Sequence, residues 1–187
     1  MSINIERPVA RLEHVEAPGA MLTRTASAAL AVLRIGTGVV FLWAFLDKTF
    51  GLGYATPVER AWINGGSPTK GFLSSVDVGP FQSFYHSIAG TWYANWGFML
   101  GLAGIGLALI LGIGLRVAAV ATIALMALMW MAEYPLAAAG STNPVMDYHV
   151  IYAIVAAVLA LTYAGHTWGL GRWWVGRQFV QRHRWLI

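Results

Sequence analysis

Thr25-Ala-Ser-Ala-Ala-Leu-Ala-Val-Leu-Arg34-Ile-Gly-Thr-Gly-Val-Val-Phe-Leu-Trp43-Ala-Phe-Leu46 decides the fold: 22 mostly apolar residues with one charge, Arg34, near the middle. At ~1.5 Å per helical residue this length covers ~30 Å of hydrocarbon. A guanidinium at that depth costs at least ~2.5 kcal/mol on insertion scales, so it is expected to face the bundle interior and find a partner there.

Working outward, three further stretches are long and apolar enough to span: 96–114, 115–134 and 149–165, in addition to 25–46. Gly97 to Gly114 carries no charged or polar side chain, and Gly112 and Gly114 mark a tight turn into the next span. The composition agrees, with 58% hydrophobic and 11% charged residues, against about 25% charged in soluble domains. The first 20 residues mix Glu6, Arg7, Arg11, Glu13 and Glu16 with prolines and lack an apolar core, so no cleavable signal peptide is expected.

Arg7, Arg11, Arg24, Arg116, Arg172, Arg177, Arg182 and Arg184 fall on one side of these spans, against Lys48, Arg60 and Lys70 on the other. The positive-inside rule then puts both termini in the cytoplasm of a plasma-membrane protein. The net charge of +4 is this bias, with no nucleic-acid footprint. Cysteine is absent, which excludes disulfides, thiolate nucleophiles and cysteine-held iron–sulfur clusters or c-type haem.

The expected fold is an all-α integral membrane protein, a four-transmembrane-helix bundle, N-in/C-in. Its parts are an N-terminal tail (1–24), the membrane domain (25–170) and a basic, aromatic interfacial tail (171–187). An extracytoplasmic cap (47–95) joins the first two spans. The cap is rich in aromatics, among them Phe50, Tyr54, Trp62, Phe72, Phe81, Phe84, Tyr85, Trp92 and Tyr93. They read either as an interfacial belt or as a lid over a ligand, built on short helices. In the tail, arginines meet anionic headgroups while tryptophans settle at the acyl boundary. Gly36 and Gly38, with Gly97, Gly101 and Gly104, read as close helix contacts, Gly97-xxx-Gly101 being a small-xxx-small face.

Polar residues gather at the outer rim. Asp47 and Lys48 end the first span, Glu133 and Tyr134 end the third, and Asp147, Tyr148 and His149 open the fourth. Such a layer is either a network tying helix ends together or a proton-handling site centred on His149. Arg34 lies 13 residues from Asp47, ~20 Å down the helix. At its depth are Thr122, Thr162 and Tyr163, all uncharged. It either snorkels to backbone carbonyls and hydroxyls or holds an oxygen-rich ligand such as a quinone, with Tyr163 as second donor.

Several segments together resemble DoxX-type membrane proteins over residues 26–174. They are Arg34-Ile-Gly-Thr-Gly-Val-Val-Phe41, Trp43-Ala-Phe-Leu-Asp47-Lys48-Thr-Phe-Gly51-Leu-Gly-Tyr54, Trp62-Ile-Asn-Gly-Gly-Ser-Pro68-Thr-Lys-Gly71-Phe-Leu73, Gly112-Ile-Gly-Leu-Arg116, Asn143-Pro-Val-Met-Asp147-Tyr-His149 and Gly169-Leu-Gly-Arg172. The chain is most similar to the DoxD-like branch, identified as the large subunit of thiosulfate:quinone oxidoreductase. That resemblance implies oxidation of thiosulfate to tetrathionate with quinone as cofactor and acceptor, beside a small partner subunit. It leaves two places for the dianion: Arg34 in the interior, or Lys48 with His149 at the rim. The candidate catalytic residues are His149, Asp147, Glu133 and Asp47. The candidate substrate-binding residues are Arg34, Lys48, Tyr163 and Trp43, and no metal is expected. The alternatives are a non-catalytic subunit docking a larger respiratory complex, or a small transporter.

Overall fold

The computed structural model describes residues 23–187, so residues 1–22 of the N-terminal tail, and with them Arg7 and Arg11, lie outside the described residues. The described chain is helical, with no strand. The elements are α1 (Arg24–Phe50), α2 (Lys70–Ser74), α3 (Gln82–Ile88), α4 (Trp92–Leu111), α5 (Leu115–Glu133), α6 (Tyr148–Leu161), α7 (Gly171–Val175) and α8 (Gln178–Arg182), with short 3-10 turns between them.

Helices α1, α4 and α5 are long and apolar enough to cross a membrane, whereas α6 is apolar but only 14 residues long. α1 packs along α4, α5 along α6, and the α4–α5 contact joins the pairs. Phe41, Met99, Leu102, Ile105, Leu109, Met126 and Leu159 fill the core between them. The outward faces are apolar too: Val32, Leu100, Val120 and Leu161 are all exposed. With apolar side chains on both faces, the solvent these helices match is a bilayer.

The helix ends explain the boundaries. α1 starts at Thr23, whose hydroxyl accepts from the Ala26 amide, and continues a turn past Leu46 to Gly51, left-handed at φ 67°. Thr49 remains inside that last turn by donating to the Phe45 carbonyl at 2.7 Å. α4 ends at Gly112, φ 72°, and α5 follows Gly114, φ 58°, so the expected glycine turn is formed. α6 stops at Leu161, four residues short of the expected end, because Tyr163 adopts φ 51° and turns the chain toward α1.

The segment between α1 and α4 is docked and structured. Tyr85, on α3, is buried beside Leu73, Val76 and Ala132 and donates to the Leu128 carbonyl of α5 at 2.8 Å. The Trp62 ring meets Trp96 of α4 edge-on at 4.7 Å. Asn95 accepts from the Ser67 and Thr69 hydroxyls and the Thr69 amide. Tyr54, Phe84, Trp92 and Tyr93 remain exposed.

Of the glycines expected at close helix contacts, Gly38 makes one, and its partner is not among them. A Cβ at Gly36, Gly97 or Gly104 would meet nothing, and one at Gly101 only Leu125 at 3.9 Å. The α1–α4 crossing is built instead on Gly38 and Gly106: a Cβ on Gly106 would lie 2.7 Å from the Leu42 amide nitrogen. Both face the partner backbone, so the pair that matters is set by rotation about the helix axis, which the Gly-xxx-Gly spacing alone does not specify.

Candidate functional site

Arg34 is completely buried, and its partners are backbone carbonyls. Nε donates to Ala164 O at 3.2 Å. One terminal nitrogen donates to Leu109 O and to Ile110 O, the latter at 2.8 Å. The other donates to Thr167 O at 3.3 Å and Trp168 O at 2.9 Å. A guanidinium has five N–H donors, so each is engaged and none remains for a quinone. Gly112, Gly165 and Gly169 wall the cage: a Cβ on Gly112 would sit 2.9 Å from the guanidinium, and one on Gly165 2.1 Å from Gly112 O. The geometry follows the carbonyl-bonded reading of Arg34, against the ligand reading.

Tyr163 does not join Arg34. Its hydroxyl accepts from Arg116 at 3.1 Å, and Arg116 also donates to the Arg184 carbonyl, latching the tail to this end of the bundle. Within the tail Val180 is buried, while Trp173, Phe179 and Trp185 are exposed, with Arg177 3.9 Å over the Trp173 ring. His166 lies in the 3-10 turn Ala164–His166 beside the cage. Burial, and then Arg172, hold its pKa below the ordinary histidine value. The unfolded chain therefore binds this proton more readily, so its contribution to stability is present above the unfolded value of ~6.5 and is lost as pH falls toward the folded one. Thermal unfolding should show stability declining below about pH 6.5, with His166→Asn flattening the slope; an identical slope in the variant would remove His166 as the cause.

At the opposite end, α5 and α6 bring three of the four candidate catalytic residues together. Glu133 is the last residue of α5, and Asp147 caps α6, accepting from the His149 and Val150 amides at 3.1 and 3.2 Å. The remaining oxygen of Asp147 lies 2.7 Å from His149 Nδ1. His149 is completely buried, its Nε2 has no hydrogen-bond partner, and that nitrogen lies 4.0 Å from Glu133 Oε1. Because the Asp147 carboxylate accepts, Nδ1 carries the ring proton in the neutral imidazole and Nε2 presents its lone pair. One ligand atom from each of the three residues fits within 4.8 Å of the others.

Tyr148 completes the arrangement. Its ring lies over the imidazole, centroids 3.9 Å apart, and its hydroxyl donates to Glu133 Oε1 at 2.7 Å. It holds the carboxylate beside the histidine, a role its place at the start of an apolar span did not advertise. Among the described residues, His149 is the group that faces both carboxylates, and no lysine or arginine pairs with either.

Asp47 is not part of this cluster. Its oxygens accept from the Tyr54 and Ala55 amides at 3.2 and 3.0 Å, so a residue at the expected depth serves the turn after α1 instead. Lys48 sits 5.8 Å over the Phe98 ring and makes no ion pair among the described residues. Trp43 is exposed and meets the Tyr54 ring edge-on at 5.2 Å. Two carboxylates beside His149 would repel a bare dianion. No protein-family model, curated protein or solved structure matches this chain.

Proposed function

We propose that this chain is a four-span subunit of a quinone-linked redox system in the plasma membrane, with both termini cytoplasmic. The Glu133–His149–Asp147 cluster, near the extracytoplasmic face, is its ligand site. One observation carries the site: a buried histidine, oriented by one carboxylate, has its other nitrogen bare and turned to a second carboxylate. A purely structural network fills such a position, since an unsatisfied buried polar atom costs ~1–3 kcal/mol. The resemblance to DoxX-type proteins supplies the chemistry. Two thiosulfates each lose one electron and join as tetrathionate, and the two electrons with two protons convert a quinone to its quinol. The cysteine-free chain takes quinone from the bilayer and works beside a small partner subunit.

Purification in mild detergent, identification of co-purifying chains and lipid extraction form the test. A stoichiometric quinone and thiosulfate-dependent quinone reduction are expected, with turnover falling about 10- to 100-fold in Asp147→Asn. Turnover unchanged in that variant would detach the cluster from the activity. A second reading, an accessory subunit of a larger respiratory complex, is favoured by the internal use of every Arg34 donor, which leaves no quinone ligand in the interior. Large partner chains without a bound quinone would select it.

A further inference from the structure

We infer that the Glu133–His149–Asp147 cluster binds a divalent transition-metal ion, with His149 Nε2 and a Glu133 carboxylate oxygen as protein ligands and Asp147 orienting the imidazole. The inference rests on the reading of this cluster as the ligand site, and not on the quinone.

Two electron-pair donors face one another here with no donor group between them. Nε2 is buried and without a partner, and Glu133 Oε1 lies 4.0 Å away. A zinc-like ion with Zn–N ~2.0–2.1 Å and Zn–O ~2.0–2.2 Å in tetrahedral geometry wants these atoms ~3.4 Å apart. The difference is small for Glu133, whose side chain is 37% exposed at the end of α5. Asp147 on Nδ1 at 2.7 Å is the outer-shell carboxylate that metal-bound histidines commonly have, fixing tautomer and ring direction together. The Tyr148 hydroxyl donates to this same Glu133 oxygen at 2.7 Å and holds the carboxylate beside the imidazole.

Charge points the same way. Two carboxylates face one imidazole, with no lysine or arginine partner among the described residues, and a divalent ion would balance that acidic pair. Imidazole as a ligand selects zinc, copper, iron or nickel over magnesium and calcium, which prefer all-oxygen sites. Two protein ligands leave coordination positions open for water or a substrate oxygen. The filled site would then admit an oxyanion that the two carboxylates alone repel.

The test uses the full chain in detergent, stripped with a chelator and titrated with Zn2+ by calorimetry and with Co2+ by visible absorption. One equivalent of saturable Zn2+ binding and a Co2+ ligand-field spectrum are expected. His149→Gln and Glu133→Gln should each weaken binding at least about tenfold, and Asp147→Asn, which keeps the helix cap, about 10- to 100-fold. Thermal unfolding of each variant without metal checks folding; should the direct-ligand variants fail to fold, Asp147→Asn and the Co2+ spectrum decide. Absence of saturable binding, or affinity unchanged in the folded variants, overturns the metal. Quinone reduction that persists in the metal-free protein would overturn a metal requirement while leaving the redox reading intact, and metal binding without quinone would do the reverse.

Discussion

Replacing Arg34 by leucine is expected to destabilise the protein by about 3–5 kcal/mol, the range for removing one partner of a buried charged network. The orphaned groups can be named. The last four carbonyls of α4 have no place in its own helical ladder. Ala108 O accepts from the Gly112 and Ile113 amides, and Leu111 O from the Leu170 amide. Leu109 O and Ile110 O depend on Arg34, as do Ala164 O, Thr167 O and Trp168 O. Leucine removes the donors and leaves those oxygens in a site walled by Gly112, Gly165 and Gly169, too tight for rearrangement. Arg34→Lys should recover less than half of the loss, because an ammonium has three donors on a point charge and cannot reproduce the planar fork. Denaturant unfolding in detergent, followed by tryptophan fluorescence, measures both. Leucine with wild-type stability would show that the cage contributes nothing, and a selective loss of quinone binding at full stability would restore the ligand role.

Much of this arrangement was legible, and what was not has a physical cause. That Arg34 turns inward follows from its charge alone, whereas its partners are backbone oxygens, which no letter of the sequence marks. Matching by depth paired it with Tyr163, but the left-handed turn at Tyr163 sends that side chain to Arg116 and brings carbonyls to the guanidinium instead. Depth succeeded for Glu133, Asp147 and His149 because each sits at a helix end, where α5 packs along α6. It failed for Asp47, which shares the layer but finds free amides seven and eight residues along its own chain. Short acidic side chains bond locally in this way wherever a turn offers unpaired N–H groups. Span boundaries were closest for α5, whose start Gly114 sets; α4 begins four residues and ends three residues before its expected bounds, and α6 ends four residues short, where a contact distant in sequence dictates its end.

Gly106→Ala is expected to cost about 1–3 kcal/mol, while Gly97→Ala and Gly104→Ala are neutral or slightly stabilising. All three glycines lie in α4 and are equal in helix propensity, so the difference isolates packing. At Gly106 the added methyl would stand 2.7 Å from Leu42 N and 3.0 Å from Leu42 Cα, both backbone atoms that no rotamer change can move. Relief requires α1 and α4 to separate, and Gly38 resists this from the other side, since its own Cβ direction points 2.9 Å from Ile110 N. Separation would also draw Ile110 O away from Arg34, so part of the measured loss should vanish in an Arg34→Leu background, a non-additivity that a double-mutant cycle reads directly. Strict additivity would show that the crossing and the cage are independent. A loss at Gly97 equal to that at Gly106 would move the tight helix contact onto the exposed face, between copies of the chain, where the small-xxx-small spacing alone first suggested it.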